Sequence, residues 1–123
     1  MRVLIVDDAP MIRARVRRLL ESVDQLEVIG EAGDGDSAMK LFDETHPDAL
    51  VLDLGIPGKS GFEVLLQVKT RNPDTVVMIL TNHADTFIRE RCQAARADFF
   101  LEKATEYEMV APIFKRLVEQ RKR

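Results

Sequence analysis

The sequence predicts an α/β fold built on a five-stranded parallel sheet, because short apolar runs alternate with helix-like segments along the whole chain. Five runs are rich in β-branched and other apolar residues, and most are continuous, as in strands buried on both faces. These predicted strands cover residues 3–6, 26–29, 49–52, 76–80 and 99–101. Strands that alternate with helices pair in parallel through right-handed crossovers.

Helix-end signals place five predicted helices between and after these strands. Pro10 suits the first turn of the first helix, and the second is expected at about residues 36–45, after a Gly-Asp-Gly turn. An S-x-x-E capping box opens the third helix at Ser60, and a T-x-x-E box opens the fifth at Thr105. The fourth is expected at about residues 84–95. Together these elements predict a doubly wound (βα)5 sheet in the flavodoxin-like strand order 2-1-3-4-5.

Composition excludes several protein classes. The chain has 123 residues, 46% hydrophobic and 32% charged, which fits one globular domain over residues 1–123. A net charge of −3 gives no reason to expect direct nucleic-acid binding, and the single cysteine, Cys92, fits a reducing cytoplasm. No apolar run approaches the roughly 20 residues of a membrane span, and the strand starting at Val3 leaves no room for a signal peptide. We expect a cytoplasmic protein without membrane contact.

Acidic residues follow two predicted strands that should be neighbours. Asp7 and Asp8 follow the first strand, and Asp53 follows the third. In the order 2-1-3-4-5, ligands bind beyond the carboxyl ends of these strands, where the strand order reverses. Two charges about 4 Å apart repel by about 4 kcal/mol at an effective dielectric constant near 20. Three converging carboxylates therefore require a cation or a raised pKa, and oxygen ligands favour Mg²⁺.

A hydroxyl and an ammonium group complete this edge of the sheet. Thr81 ends the fourth predicted strand, and Lys103 follows the fifth. A phosphoryl group in transfer spreads its charge over three equatorial oxygens, which a metal ion, Thr81 and Lys103 could each hold. One carboxylate is then left as the nucleophile, and aspartyl phosphate is an established covalent species.

These residues carry a resemblance to a known family. Over essentially its whole length the sequence resembles the receiver domain of response regulators of bacterial two-component signalling systems. The matching positions are Asp7 and Asp8, Asp53 in "DLGIPGKSG", Thr81, and Lys103 in "FFLEK".

The resemblance implies a phosphorylation-activated signalling switch. Asp53 would accept a phosphoryl group from a sensor histidine kinase or a histidine phosphotransfer protein in a Mg²⁺-dependent reaction. Asp8 and Asp53 would bind Mg²⁺ directly, Asp7 largely through water, and the Gly55 carbonyl would supply a further ligand. The chain would catalyse only its own phosphorylation and dephosphorylation, so no enzyme acting on an external substrate is expected.

The resemblance also implies how the signal leaves the site. Thr81 would turn inward to a phosphoryl oxygen, Lys103 would pair with another, and Phe100 would switch between outward and inward positions. The changed surface would comprise the fourth helix, fifth strand and fifth helix, and would bind a downstream effector protein. Whether phosphorylation also produces a homodimer stays open. Gly55 and His83 flank the route of the attacking water in this family, so we expect them to tune the lifetime of the phosphoryl group.

Two other functions share parts of this pattern. A Mg²⁺-dependent phosphohydrolase of the haloacid dehalogenase type also uses an aspartate nucleophile, but it requires a second acid at the position of Gly55. A flavodoxin-like FMN carrier requires a hydroxyl- and glycine-rich phosphate loop after the first strand, where Asp7 and Asp8 would repel the phosphate. The four arginines at positions 13, 15, 17 and 18 are expected to form a solvated basic helix face, with a kinase contact as the alternative.

Overall fold

The computed structural model describes residues 1–122 and confirms the predicted α/β class. Five parallel strands pair in the order β2-β1-β3-β4-β5. The strands are β1 (Arg2–Val6), β2 (Glu27–Ala32), β3 (Ala49–Leu52), β4 (Val76–Thr81) and β5 (Phe99–Glu102). The helices are α1 (Pro10–Glu21), α2 (Gly35–Thr45), α3 (Gly61–Arg71), α4 (Thr86–Ala94) and α5 (Val110–Arg121), with a 3₁₀ turn at Tyr107–Met109. Among these described residues, no helix has the length and hydropathy needed to cross a bilayer.

Helices cover both faces of the sheet and divide the core in two. Alternate strand residues such as Leu4 and Leu50 pack with α2, α3 and α4, whereas Val3 and Val51 face α1 and α5. Burial on both faces explains why the central strands read as continuous apolar runs. Cys92 is fully buried in the first of these clusters, and burial raises the pKa of its thiol. Cys92 is therefore a packing residue.

The largest error in the strand predictions concerns β2. This strand runs to Ala32, three residues beyond the predicted end at residue 29. The added residues include Gly30 and Glu31, types that are depleted in strands. The strand lies at the sheet edge, where most of its residues are only partly buried, so its sequence lacks a long apolar run.

Of the two predicted capping boxes, the one at Ser60 is confirmed as a helix cap. The Ser60 hydroxyl accepts a hydrogen bond of 3.2 Å from the Glu63 N–H at the start of α3. The box predicted at Thr105 is wrong, because residues 103–105 form a turn. The Glu106 N–H donates to the Glu102 carbonyl there, and the Glu102 N–H donates to Glu106 Oε1. The last helix consequently begins at Val110, after the 3₁₀ turn.

Candidate active site

Asp7 and Asp53 stand side by side because β1 and β3 are adjacent and end in register. Val6 pairs with Leu52 in the final step of the ladder, so the next residue of each strand is an aspartate. The Asp53 N–H donates to the Val6 carbonyl at 2.9 Å, and the Asp7 N–H donates to the Ala32 carbonyl at 3.0 Å. The hydrogen bonds of the sheet thus extend into the site and fix the backbone positions of Asp7 and Asp53.

Three carboxylates converge there, as the sequence predicted. Asp7, Asp8 and Asp53 each offer an oxygen within 4.8 Å of the others. Asp7 and Asp53 are only 4% and 6% exposed, whereas Asp8 lies open to solvent. Oxygens on opposite sides of a Mg²⁺ ion lie about 4 Å apart, so the cluster fits a hard cation of that size with small side-chain adjustments. All-oxygen ligation is also the donor set that such an ion prefers.

Lys103 ties two of these acids together. Its ammonium nitrogen lies 2.5 Å from Asp7 Oδ2 and 3.0 Å from Asp53 Oδ2. The Lys103 N–H donates to the Thr81 carbonyl at 2.9 Å, which anchors the residue to the end of β4. Burial alone would lower the pKa of Lys103, but the hydrogen bonds and charges of Asp7 and Asp53 outweigh it and raise the pKa above its ordinary value. The side chain is therefore a fixed positive charge.

The loop after β3 brings a second group of residues to Asp53. Asp53 Oδ1 accepts a hydrogen bond of 3.2 Å from the Gly55 N–H. A Cβ atom at Gly55 would lie 2.8 Å from His83 Nε2 and 3.9 Å from Asp53 Oδ2, so the imidazole and the Asp53 carboxylate both border the space next to Gly55. A Cβ atom at Gly61 would overlap the Asp53 carbonyl and lie 2.5 Å from Leu54 Cα. Helix α3 therefore packs directly against the backbone of Asp53 and Leu54.

Thr81 is fully buried at the end of β4, the strand next to β3. Its hydroxyl accepts a hydrogen bond of 3.1 Å from the His83 N–H. A hydroxyl that accepts one bond still carries a proton that it can donate. Thr81 is thus able to bond an anion at this edge of the sheet.

Phe99 and Phe100 point to opposite faces of the sheet, as strand alternation predicts. Phe99 packs with the cluster on the α1 and α5 side, and Phe100 with the cluster on the α4 side. Phe100 is 9% exposed, and the Arg89 guanidinium lies 4.5 Å from the centre of its ring. Arg89 also donates to the Phe100 carbonyl at 3.3 Å and pairs with Glu102 at 3.6 Å. The ring therefore lies beneath a cation that joins α4 to β5.

The sequence-based view of α1 missed specific contacts. Three of the four arginines on its basic face are engaged rather than simply solvated. Arg13 and Arg17 both pair with Glu31, and the Arg15 guanidinium lies 3.8 Å from the centre of the Tyr107 ring. The predicted end of β2 at residue 29 left Glu31 outside the sheet. No sequence signal therefore connected this acid with α1.

Comparison with known proteins agrees with this geometry. The family model described as the response regulator receiver domain matches residues 3–113. The response regulator GacA of Pseudomonas viridiflava is 34% identical over 113 residues, which cover 91% of this chain and 53% of that protein. The transcriptional regulatory protein YdfI of Bacillus subtilis is 34% identical over 101 residues, which cover 82% and 47%. The chain spans about half the length of these curated relatives.

Solved structures show the same relationship. A two-component response regulator of the LuxR family from Aurantimonas sp. SI85-9A1 superposes with a TM-score of 0.84 at 31% identity, covering 96% of this chain and 85% of that one. The response regulator domain of Thermotoga maritima CheB gives a TM-score of 0.83 at 26% identity, covering 98% and 94%. Receiver domains of this kind are phosphorylation-dependent signalling switches that interact with kinases and effectors and generally bind Mg²⁺ in an acidic pocket. With a family match over most of its length and the acidic cluster at the switch point of its sheet, the chain belongs to the response regulator receiver domain family.

Proposed function

We propose that residues 1–123 form one receiver domain in which Asp53 accepts a phosphoryl group from a sensor histidine kinase or a histidine phosphotransfer protein. The observation that carries this proposal is the placement of the Asp53 carboxylate between the Lys103 ammonium and two further acids. An Asp53 oxygen attacks the phosphorus of the phosphohistidine, and the P–N bond breaks as the new P–O bond forms. The histidine nitrogen keeps the electron pair of the broken bond.

The acids are assigned as the Mg²⁺ site. We assign Asp8 and Asp53 as direct ligands, Asp7 as a ligand largely through water, and the Gly55 carbonyl as a further ligand. Asp8 is the exposed member of the cluster, which leaves a solvent-facing side for an incoming phosphodonor. When bound, Mg²⁺ offsets the negative charge of the acids and of the phosphoryl oxygens.

Lys103 and Thr81 hold the transferred group. Lys103 Nζ already lies 3.0 Å from Asp53 Oδ2, so a phosphoryl group on Asp53 forms within reach of its positive charge. The Thr81 hydroxyl donates its proton to a second phosphoryl oxygen. Both groups act on the charge of the phosphoryl group, which is the main task of a protein in phosphoryl transfer. The chain acts on its own aspartyl phosphate and turns over no external substrate.

The output runs through Phe100 to the surface formed by α4, β5 and α5. When Thr81 moves toward the phosphoryl group, the residues that follow it in the β4–α4 loop move with it. Arg89 lies on α4, the helix that follows this loop, and contacts the Phe100 ring and carbonyl, so the packing of α4 against β5 changes. We assign this surface to a downstream effector protein, or to a second copy of the chain in a phosphorylation-dependent homodimer, and not to nucleic acid. A cytoplasmic location agrees with the reduced, buried Cys92.

Intact-mass measurement after incubation with acetyl phosphate tests the proposal. With Mg²⁺ the wild type is expected to gain about 80 Da, the mass of one phosphoryl group, and then to lose it slowly. Neither the wild type in EDTA nor Asp53→Ala should gain this mass. Asp43→Ala is the matched control, because Asp43 is an exposed aspartate that pairs with Arg71 away from the site. A full adduct on Asp53→Ala, or continuous phosphate release by the wild type, would contradict the proposal.

A further inference from the structure

All four polar groups of Asp7 have a partner, and one of these partners is a helix residue outside the assigned site. Its N–H bonds the Ala32 carbonyl, Oδ1 accepts from the Ala9 N–H at 2.9 Å, and Oδ2 accepts from Lys103. The remaining group, the Asp7 carbonyl, accepts a hydrogen bond of 2.7 Å from Arg13 Nη1. This contact acts on the backbone between the two neighbouring acids.

Arg13 is itself fixed by β2. Its Nε donates to Glu31 Oε1 at 3.1 Å, while Arg17 Nε donates to Glu31 Oε2 at 2.7 Å. The Arg13 and Glu31 side chains are only 21% and 28% exposed, so this pair is less open to solvent than an ordinary surface ion pair. A Cβ atom at Gly33 would lie 3.3 Å from Arg13 Nη1, so the glycine leaves room for the guanidinium. The fork of Arg13 thus bridges Glu31 and Asp7.

The contact matters for Asp8 because a peptide unit is rigid. The Asp7 carbonyl and the Asp8 N–H belong to one planar group that extends to Asp8 Cα, so fixing the carbonyl fixes the bond from which the Asp8 side chain is built. Within residues 1–122, the Asp8 carboxylate takes part in no hydrogen bond or ion pair. Its orientation toward Asp53 therefore depends on its backbone.

We propose that Arg13, held by Glu31, is a positioning residue that aims the Asp8 carboxylate into the Mg²⁺ site by fixing the Asp7–Asp8 peptide. The inference rests on the proposed Mg²⁺ site and adds the residues that orient it. Residues behind metal ligands usually affect metal affinity by about 10- to 100-fold.

Charge and geometry predict opposite effects of removing Arg13 on the affinity for Mg²⁺. Arg13 is a cation beside a cation site, so removing its charge alone should tighten Mg²⁺ binding. Removing the bond to the Asp7 carbonyl should weaken binding, by roughly tenfold at the low end of the usual range. Arg13→Lys keeps the charge but lacks the fork that contacts Glu31 and Asp7 together. Arg17→Gln removes an equal charge that contacts the same Glu31 but not Asp7.

Calorimetric titration of the full chain with MgCl₂ tests the inference. We expect roughly tenfold weaker binding for Arg13→Gln, weaker binding for Arg13→Lys, and wild-type or slightly tighter binding for Arg17→Gln. Equal or tighter binding by Arg13→Gln, or an equal loss in Arg17→Gln, would overturn the positioning role. A wild type that binds no Mg²⁺ would instead remove the proposed metal site itself.

A spectroscopic measurement separates positioning from a general loss of structure. In NMR spectra without Mg²⁺, the Asp7 carbonyl carbon and the Asp8 amide nitrogen should shift in Arg13→Gln and stay unchanged in Arg17→Gln. Urea unfolding in EDTA should show that both substitutions lower the free energy of unfolding by similar amounts. If Arg13→Gln fails to fold, Arg13→Lys decides the matter, and wild-type Mg²⁺ affinity in that variant overturns the inference.

Discussion

The Lys103 ammonium reaches 3.0 Å from the Asp53 carboxylate, although 50 positions separate the two residues in the sequence. One follows β5 and the other follows β3, so the lysine side chain crosses over the end of β4. Both side chains are only 8% exposed. The Asp53 carboxylate is therefore held in an ion pair that is largely shielded from solvent.

Lys103→Met should lower both stability and phosphorylation. The substitution keeps the unbranched stem as far as Cε but leaves Asp7 and Asp53 as buried carboxylates without their cation. Breaking a buried ion pair in this way costs about 3 kcal/mol. Urea unfolding in EDTA measures this loss, and intact mass after acetyl phosphate treatment measures acceptance. Lys40→Met, at an exposed position on α2, is the control. Equal stability of the two variants would contradict the structural role of Lys103.

Asp8→Asn and Asp7→Asn should change the stability of the metal-free protein in opposite directions. Asp8 is exposed and lies within 4.8 Å of two like charges, so removing its charge should raise the free energy of unfolding by about 1 kcal/mol. Asp7 is buried against Lys103, so Asp7→Asn should lower it by about 1 to 3 kcal/mol.

Urea unfolding with and without Mg²⁺ checks this pair of variants. A ligand that binds only the folded state stabilises it, so Mg²⁺ should stabilise the wild type and have little effect on Asp8→Asn. A fall in the free energy of unfolding of both variants in EDTA would show that charge repulsion at Asp8 is negligible, and a rise in both would contradict the stabilising role of the Asp7–Lys103 pair.

The chemistry of the site was accessible from the sequence because each key residue adjoins a buried strand. Asp7, Asp53 and Lys103 directly follow β1, β3 and β5, and Thr81 ends β4. Once the strand order is set, the carboxyl ends of parallel strands bring such residues together. This step requires the positions of the strands but not their side-chain packing.

The contacts behind the site were not accessible in the same way. Glu31 lies on a partly exposed edge strand whose later residues carry no strand signal, so its pairing with Arg13 and Arg17 depends on tertiary structure. The T-x-x-E pattern at Thr105 is locally compatible with a helix start. Tyr107 packs into the core instead, and the chain makes a 3₁₀ turn before α5 begins.

Tyr107 should titrate at an unusually high pH. It is the single tyrosine of the chain, so phenolate absorbance reports it directly. Burial raises its pKa, while the charges of Lys103 and Arg15 lower it by less. We therefore expect a midpoint above about 10 in the folded protein and near 10 in urea. Arg15→Gln should raise the midpoint further, and a folded-state midpoint at or below the urea value would contradict this assignment.

The raised pKa of Tyr107 also predicts that the folded state is less stable in alkali. Between the unfolded and folded pKa values of Tyr107 the folded state binds more protons, so the free energy of unfolding falls as pH rises through that interval. Tyr107→Phe should reduce this fall. Within residues 1–122 the Tyr107 hydroxyl has no hydrogen-bond partner, so the variant should be as stable as the wild type or more stable at pH 7. A clear loss of stability at that pH would indicate that the hydroxyl is bonded.

Gly55 and His83 should set the lifetime of the phosphoryl group. The imidazole occupies the space that a side chain at Gly55 would need, a space that the Asp53 carboxylate also borders. His83→Ala should open the path of water and speed hydrolysis by more than about threefold. A threefold change in rate corresponds to about 0.7 kcal/mol in the barrier. Gly55→Ala should move the ring and change the rate without a large loss of stability, because the far end of a side chain yields more easily than backbone. The decay of phosphorylated protein, followed by intact mass with excess Mg²⁺, gives both rates. Unchanged rates in both variants would show that water reaches the phosphoryl group by another path.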